Sequence, residues 1–175
     1  MIPIPGFVIL LLTFPGVIVH EWAHKIACQW FGVRVLKVSY FRFNPSLVGG
    51  EAGFVIHERP PSYIASLCIS AAPLFVNTIV ALLVVLVARQ FHPAIGPEIP
   101  LEMALVWLGF SIAAHAFPSN QDMSNVTEQA TYEHYLIGAL SKFLYITMYA
   151  LNALKAFWLD FIYAVLIVSL AYTPL

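Results

Sequence analysis

Residues 20 to 24 read HEWAH: two histidines four apart, with a glutamate directly after the first. On a helix, positions i and i+4 lie one above the other on one face, so His20 and His24 can offer two imidazole nitrogens to a single metal ion. Glu21 projects beside them. In such a motif the glutamate does not ligate. It accepts a proton from a water whose acidity zinc has raised enough to supply hydroxide near neutral pH. Five residues therefore specify both a Lewis acid and a base, the two requirements of metal-assisted hydrolysis.

Chance alone would put HExxH into about one chain in a hundred of this composition, so the setting has to decide. Upstream stands FVILLLTFPGVIV and downstream Ile26, Ala27 and Cys28. Ionisable groups inside an apolar span are costly and are kept where they form a site or line a watery cavity. A merely solvated helix would need polar neighbours at helical spacing, and few are present. The pattern favours a metal site within a membrane segment.

The elements that must carry this site follow from composition. Of 175 residues, 61% are hydrophobic and 10% charged, and the mean hydropathy is +0.84. Those values describe an integral membrane protein forming one membrane-embedded domain over residues 1–175. A net charge of −1, with the basic residues scattered, argues against nucleic-acid binding. Cys28 and Cys68 both sit in apolar runs and suggest no disulfide framework. MIPIPGFVILLLTFPG lacks a basic leader and a cleavage site and is expected to stay as part of the first span.

The expected architecture is an all-α membrane bundle of about four spans, with five as the other choice, and a small β-hairpin or sheet after the first span. That first segment covers about Ile4 to Phe31, with Pro15 as a potential kink and Gly32 as its terminator. VRVLKVSYFRF and EAGFVIHE alternate like strands, with NPS and GG as turns between them. A second span covers about Tyr63 to Phe91 and is followed by the loop HPAIGPEIP; a third, shorter one covers Leu101 to Phe117. Residues 118 to 134 form the longest polar stretch. Residues 135 to 174 exceed one crossing and are read as an interfacial helix leading into a last span, with a tight helical pair as the alternative.

Arg34, Lys37, Arg42 and Arg59 all follow the first span, which places that loop in the cytoplasm and the N-terminus outside. Two further crossings bring the stretch after Pro118 back to the same side. A catalytic zinc site wants three protein ligands and one open position. Candidates for the third are His57, His92, His115, His134, Asp122, Asp160 and Cys28. His92 falls on the opposite face. Cys28 prolongs the row of His20 and His24, where three ligands cannot easily converge. His57 and His134 lie in polar segments and read as solvated, and Asp160 reads as a lone acid or a partner of Lys155. Asp122 follows the third span on the correct side. A helix cap or turn residue in PSNQD is its competing reading, and parity with HEWAH tips the balance toward a ligand.

HEWAHKIACQWFGVRVLKVSYFRF resembles the opening of the site-2 protease family of intramembrane zinc metalloproteases. SAAPLFVN, residues 70 to 77, is similar to that family's Gly-Pro-x-x-Asn segment, and HAFPSNQD, residues 115 to 122, to its Asn-x-x-Pro…Asp-Gly segment. The likeness covers about residues 15 to 125. It departs from the pattern at His115, Met123 and Ala72, and in the spacing of Pro118 and Asn77. It implies His20, His24 and Asp122 as ligands of one zinc ion and Glu21 as general base. His115 would then contact substrate, oxyanion or a ligand, or be a satisfied buried histidine. Asn77 would contact substrate or oxyanion, or serve as packing glue between helices.

The implied substrate is a membrane protein with a transmembrane segment, cleaved on the cytoplasmic side of the bilayer. Regulation would fall to a partner protein or to membrane access. A strand after Gly32 with a free edge would pair with an unwound stretch of substrate, or else only seal the bundle. The rival functions are a membrane metal-ion transporter, expected to show ligands at several depths, and a non-catalytic metal-binding relative, against which an intact Glu21 weighs.

Overall fold

The computed structural model describes residues 6–42, 52–91, 99–131, 135–154 and 158–173. They form seven helices and a two-stranded antiparallel sheet. The order is α1 (Gly6–Leu12), α2 (Phe14–Trp30), β1 (Val35–Ser39), β2 (Phe54–His57), α3 (Tyr63–Arg89), α4 (Ile99–Ala114), α5 (Asn120–Ala130), α6 (Tyr135–Leu154) and α7 (Leu159–Tyr172). The NPS and GG turns, the HPAIGPEIP loop through Glu98, His92, His134 and Lys155 lie outside the described residues.

The first apolar segment is two helices. Pro15 stands in the first turn of α2, where its missing N–H costs nothing. A continuous helix would instead need that N–H and would meet the pyrrolidine ring. The chain breaks at Thr13, whose hydroxyl donates back to the Ile9 carbonyl at 2.8 Å. At its other end α2 closes on Gly32, in the left-handed region at φ +65°. Val33 N–H bonds Cys28 O at 2.8 Å and Gly32 N–H bonds Gln29 O at 3.2 Å, the paired bonds of a glycine-terminated helix. Val33 then packs on Cys28, which turns the chain straight into the sheet.

β1 and β2 pair from Val35 opposite His57 to Ser39 opposite Phe54, with an irregularity between Val35 and Lys37. Lys37 and Arg42 both stand over the Phe54 ring. Ser62 then opens α3, its hydroxyl accepting the Ala65 N–H at 3.2 Å.

α3 is the central post, packed against α2, α4, α5 and α7. Small residues permit the close approaches: Ala81, Ala113 and Ala164 are completely buried where α3, α4 and α7 meet. The outer face is apolar, with Phe75, Ile79, Leu83 and Val87 exposed along α3 at four-residue spacing. α6 packs against α5 and exposes Leu136, Leu140, Phe143 and Ile146. By length and composition two helices among the described residues are able to cross a membrane, α3 and α6. The four expected crossings are thus not established helix by helix. α2 has 17 residues, α4 16 and α7 14, too few for a full crossing at about 1.5 Å per residue.

Within the polar stretch that begins at Pro118, Asn120–Ala130 form the helix α5. Met123, Val126 and Ala130 are buried at helical spacing, and Val126 and Ala130 pack with Tyr63 at the start of α3. Among the described residues after 134 the chain forms two helices, α6 and α7, the number that both expected readings contain.

Candidate metal centre

α2 places His20 and His24 on the face turned toward α3, α4 and α5. The Nδ1 of His20 lies 2.7 Å from the His115 carbonyl, and that of His24 2.8 Å from the Ile69 carbonyl. A carbonyl only accepts, so in both rings Nδ1 carries a proton, and Nε2 is the atom left to ligate when the ring is neutral. The two Nε2 atoms face each other at 3.2 Å. Backbone partners on Nδ1 are how metal-binding imidazoles are usually oriented.

Asp122 completes the group from the first turn of α5. Its Oδ1 is 3.3 Å from His24 Nε2 and its Oδ2 3.9 Å from His20 Nε2. Ligand atoms about 2.0–2.2 Å from a tetrahedral ion lie roughly 3.3 Å apart. The imidazole pair and the His24–Asp122 pair stand near that separation, and one ligand atom from each of the three residues lies within 4.8 Å of the others, a group that could hold a metal ion. Among the described residues, this is the one set of three or more His, Cys, Asp or Glu side chains near enough together to share an ion. Burial works against the Asp122 carboxylate, but the charge of His24 and hydrogen bonding to both imidazoles hold its pKa well below the usual carboxylate range. The carboxylate is therefore ready to ligate.

Local structure fixes Asp122. Ser119 is the N-cap of α5; its hydroxyl accepts the Asp122 N–H at 3.1 Å, and its own N–H donates to Asp122 Oδ2 at 2.7 Å. This reciprocal capping box makes the Asp122 carboxylate the helix cap. The cap reading of PSNQD is thus met, and with Oδ2 engaged by Ser119 the carboxylate still faces His24 through Oδ1.

Glu21, 8% exposed, lines the same cavity as His20, His24 and Asp122. The cavity is covered by the chain entering β2. A Cβ at Gly53 would lie 2.5 Å from Glu21 Cγ and 2.8 Å from Oε1, so only glycine lets the backbone approach so near.

His115 meets the site through its backbone, whose carbonyl holds His20. Its Nε2 lies 2.8 Å from Thr13 Oγ1, whose own hydrogen goes to Ile9, so the ring donates to the break between α1 and α2. Asn77 is completely buried. Its Nδ2 stands 3.1–3.2 Å from the carbonyls of Gly16, Ile112 and His115, which ties α3 to α2 and α4 and braces the carbonyl that holds His20. His57, expected to be solvated, is half-buried and lines the cavity. Cys28 is buried with Ala27, Val33 and Ile69. Asp160 stands in the first turn of α7.

Three contributors escaped the sequence reading: Thr13, Gly53 and Ser119. Only Ser119 carries a local signal, the S-x-x-D spacing of a capping box. Comparison with protein-family models, with curated proteins and with solved structures finds no match.

Proposed function

We propose that the chain is an intramembrane zinc metalloprotease, a compact and divergent relative of the site-2 proteases, hydrolysing peptide bonds of membrane-spanning substrates. One observation carries this reading. Two imidazoles held through Nδ1 by backbone carbonyls and a carboxylate from a distant helix converge within 4.8 Å of one another, beside a buried glutamate in a shared cavity. Zinc held there would acidify a bound water and polarise a substrate carbonyl. His20, His24 and Asp122 would hold it and supply one negative charge. Glu21 takes the proton from the attacking water and delivers it to the leaving nitrogen.

The membrane setting rests on the apolar outer face of α3, on α6, and on the shorter apolar helices α4 and α7. In this reading the α1–α2 pair, α3, α4 and the α6–α7 region cross or enter the bilayer. The sheet and α5 lie at the cytoplasmic end with Arg34, Lys37, Arg42 and Arg59. Water reaches the cavity from that polar end.

β2 offers the substrate a template. Residues 54 to 60 line a groove in unbroken succession, opposite Gln121, Asn125 and Gln129 of α5. A sheet face would present alternate residues; consecutive ones mark an edge. Among the described residues β2 pairs with β1 alone. A substrate strand added to this edge would be led toward Glu21, bound by backbone bonds that tolerate varied sequence.

The test expresses wild type and Glu21→Gln in the same host membrane and maps new peptide termini by mass spectrometry, with zinc measured on both purified proteins. The reading expects equal zinc, and termini within or beside membrane segments that appear with wild type only. Identical termini in both would remove Glu21 from the reaction. Zinc-loaded wild type that generates no termini would favour a carrier or a non-catalytic metal protein.

A further inference from the structure

Asn152 lies on α6, outside the cavity and outside every motif described above. Its Nδ2 donates to the Pro118 carbonyl at 3.1 Å and to Asn120 Oδ1 at 2.7 Å. The Pro118 carbonyl can only accept, so the orientation of the amide is fixed. These two acceptors flank Ser119, the residue whose N–H and hydroxyl grip Asp122. Pro118 itself is fully buried. The amide therefore straddles the turn that sets the direction of the third ligand.

We infer that Asn152 is a positioning residue of the metal centre: by holding Pro118 and Asn120 it keeps Ser119 in the N-cap conformation that aims the Asp122 carboxylate at His20 and His24. The inference rests on reading those three residues as ligands. Asp122 is the ligand most in need of such support, because His20 and His24 share one helix whereas Asp122 approaches from another. A helix start left to fray would swing its first turn, and with it the carboxylate. A group bonded directly to a metal ligand typically changes metal affinity 10- to 100-fold; Asn152 acts one residue further out, through Ser119, so its effect falls at or below the lower end of that range.

The experiment measures zinc affinity of the purified full chain by chelator competition, with thermal unfolding recorded alongside. Asn152→Ala should weaken zinc binding by up to about 10-fold. Asn152→Asp, which keeps the shape but sets an acceptor against two acceptors, should do at least as much. Neither substitution should weaken zinc further in an Asp122→Ala background, because the residue acts through Asp122. Asn120→Ala removes one acceptor at an exposed position and should give a smaller, equally Asp122-dependent loss even if Asn152→Ala folds poorly. Unchanged affinity in the Asn152 and Asn120 variants, or the same loss with and without Asp122, would overturn the inference. Asp122→Ala binding zinc as tightly as wild type would instead overturn the ligand assignment beneath it.

Discussion

Gly53 sits so close to Glu21 that a methyl group at position 53 would fall 2.5 Å from Glu21 Cγ and 2.8 Å from its Oε1. The backbone entering β2 is thus the wall that fixes where the glutamate can point. Gly53→Ala must displace either the strand or the carboxylate, and the carboxylate is the more mobile. A base moved by about 1 Å commonly costs on the order of 10²-fold in rate. Gly53→Ala should lower kcat by about that factor while zinc content stays at the wild-type level. Unaltered turnover would show that Glu21 tolerates displacement.

Asn77 makes a second prediction. Its two N–H groups serve three backbone carbonyls from α2, α4 and the turn after α4. Asn77→Ala strips donors from buried acceptors, at a cost of about 1–3 kcal/mol, and loosens the His115 carbonyl that orients His20. Both unfolding temperature and zinc affinity should fall. A substitution that slowed cleavage but left both unchanged would assign Asn77 to substrate instead.

Two glycines provide a comparison of packing. A Cβ at Gly16 would lie 2.0 Å from the Ser111 backbone oxygen and 2.7 Å from His115 Cδ2, whereas at Gly109 the nearest obstacle, at 2.4 Å, is a methyl of Val85. A side-chain methyl can rotate away; a helix backbone cannot. Gly16→Ala should therefore destabilise more than Gly109→Ala, at or beyond the upper end of the roughly 1–3 kcal/mol typical of overpacking. It should also disturb zinc binding through His115. Equal effects in a denaturation series would contradict the close α2–α4 crossing.

Much of this fold is written locally. Gly32 ends α2, and alternation marks both strands. The apolar run after Pro61 is α3. The break at Thr13 is half-legible, since Pro15 announces a disturbance without saying whether it kinks the helix or divides it. α5 escaped because SNQDMSNVTEQA is polar overall, and its buried stripe of Met123, Val126 and Ala130 is too thin to announce a helix without knowing what it packs on. The brevity of α4 is announced by the closure at Pro118, whereas that of α7, 14 residues, is not, because apolar content does not fix where a helix starts.

At the site, HEWAH advertises itself by spacing, and it is the fold, through the capped start of α5, that sets Asp122 3.3 Å from His24. The supports carry no such signal: the Nδ1 acceptors are backbone carbonyls that any residue supplies. Thr13, Gly53 and Asn152 matter through neighbours that are distant in sequence. What a side chain is can be read from the sequence; what it leans on requires the fold.

The central claim is that His20, His24 and Asp122 bind one zinc ion and leave room for water. X-ray absorption at the zinc edge on the purified full chain tests this most directly. The account predicts one zinc per chain with two imidazole nitrogens and oxygen donors at about 2.0–2.2 Å, and loss of the carboxylate contribution in Asp122→Ala. A sulfur donor near 2.3 Å, which would bring in Cys28, or an unchanged spectrum in Asp122→Ala, would contradict it.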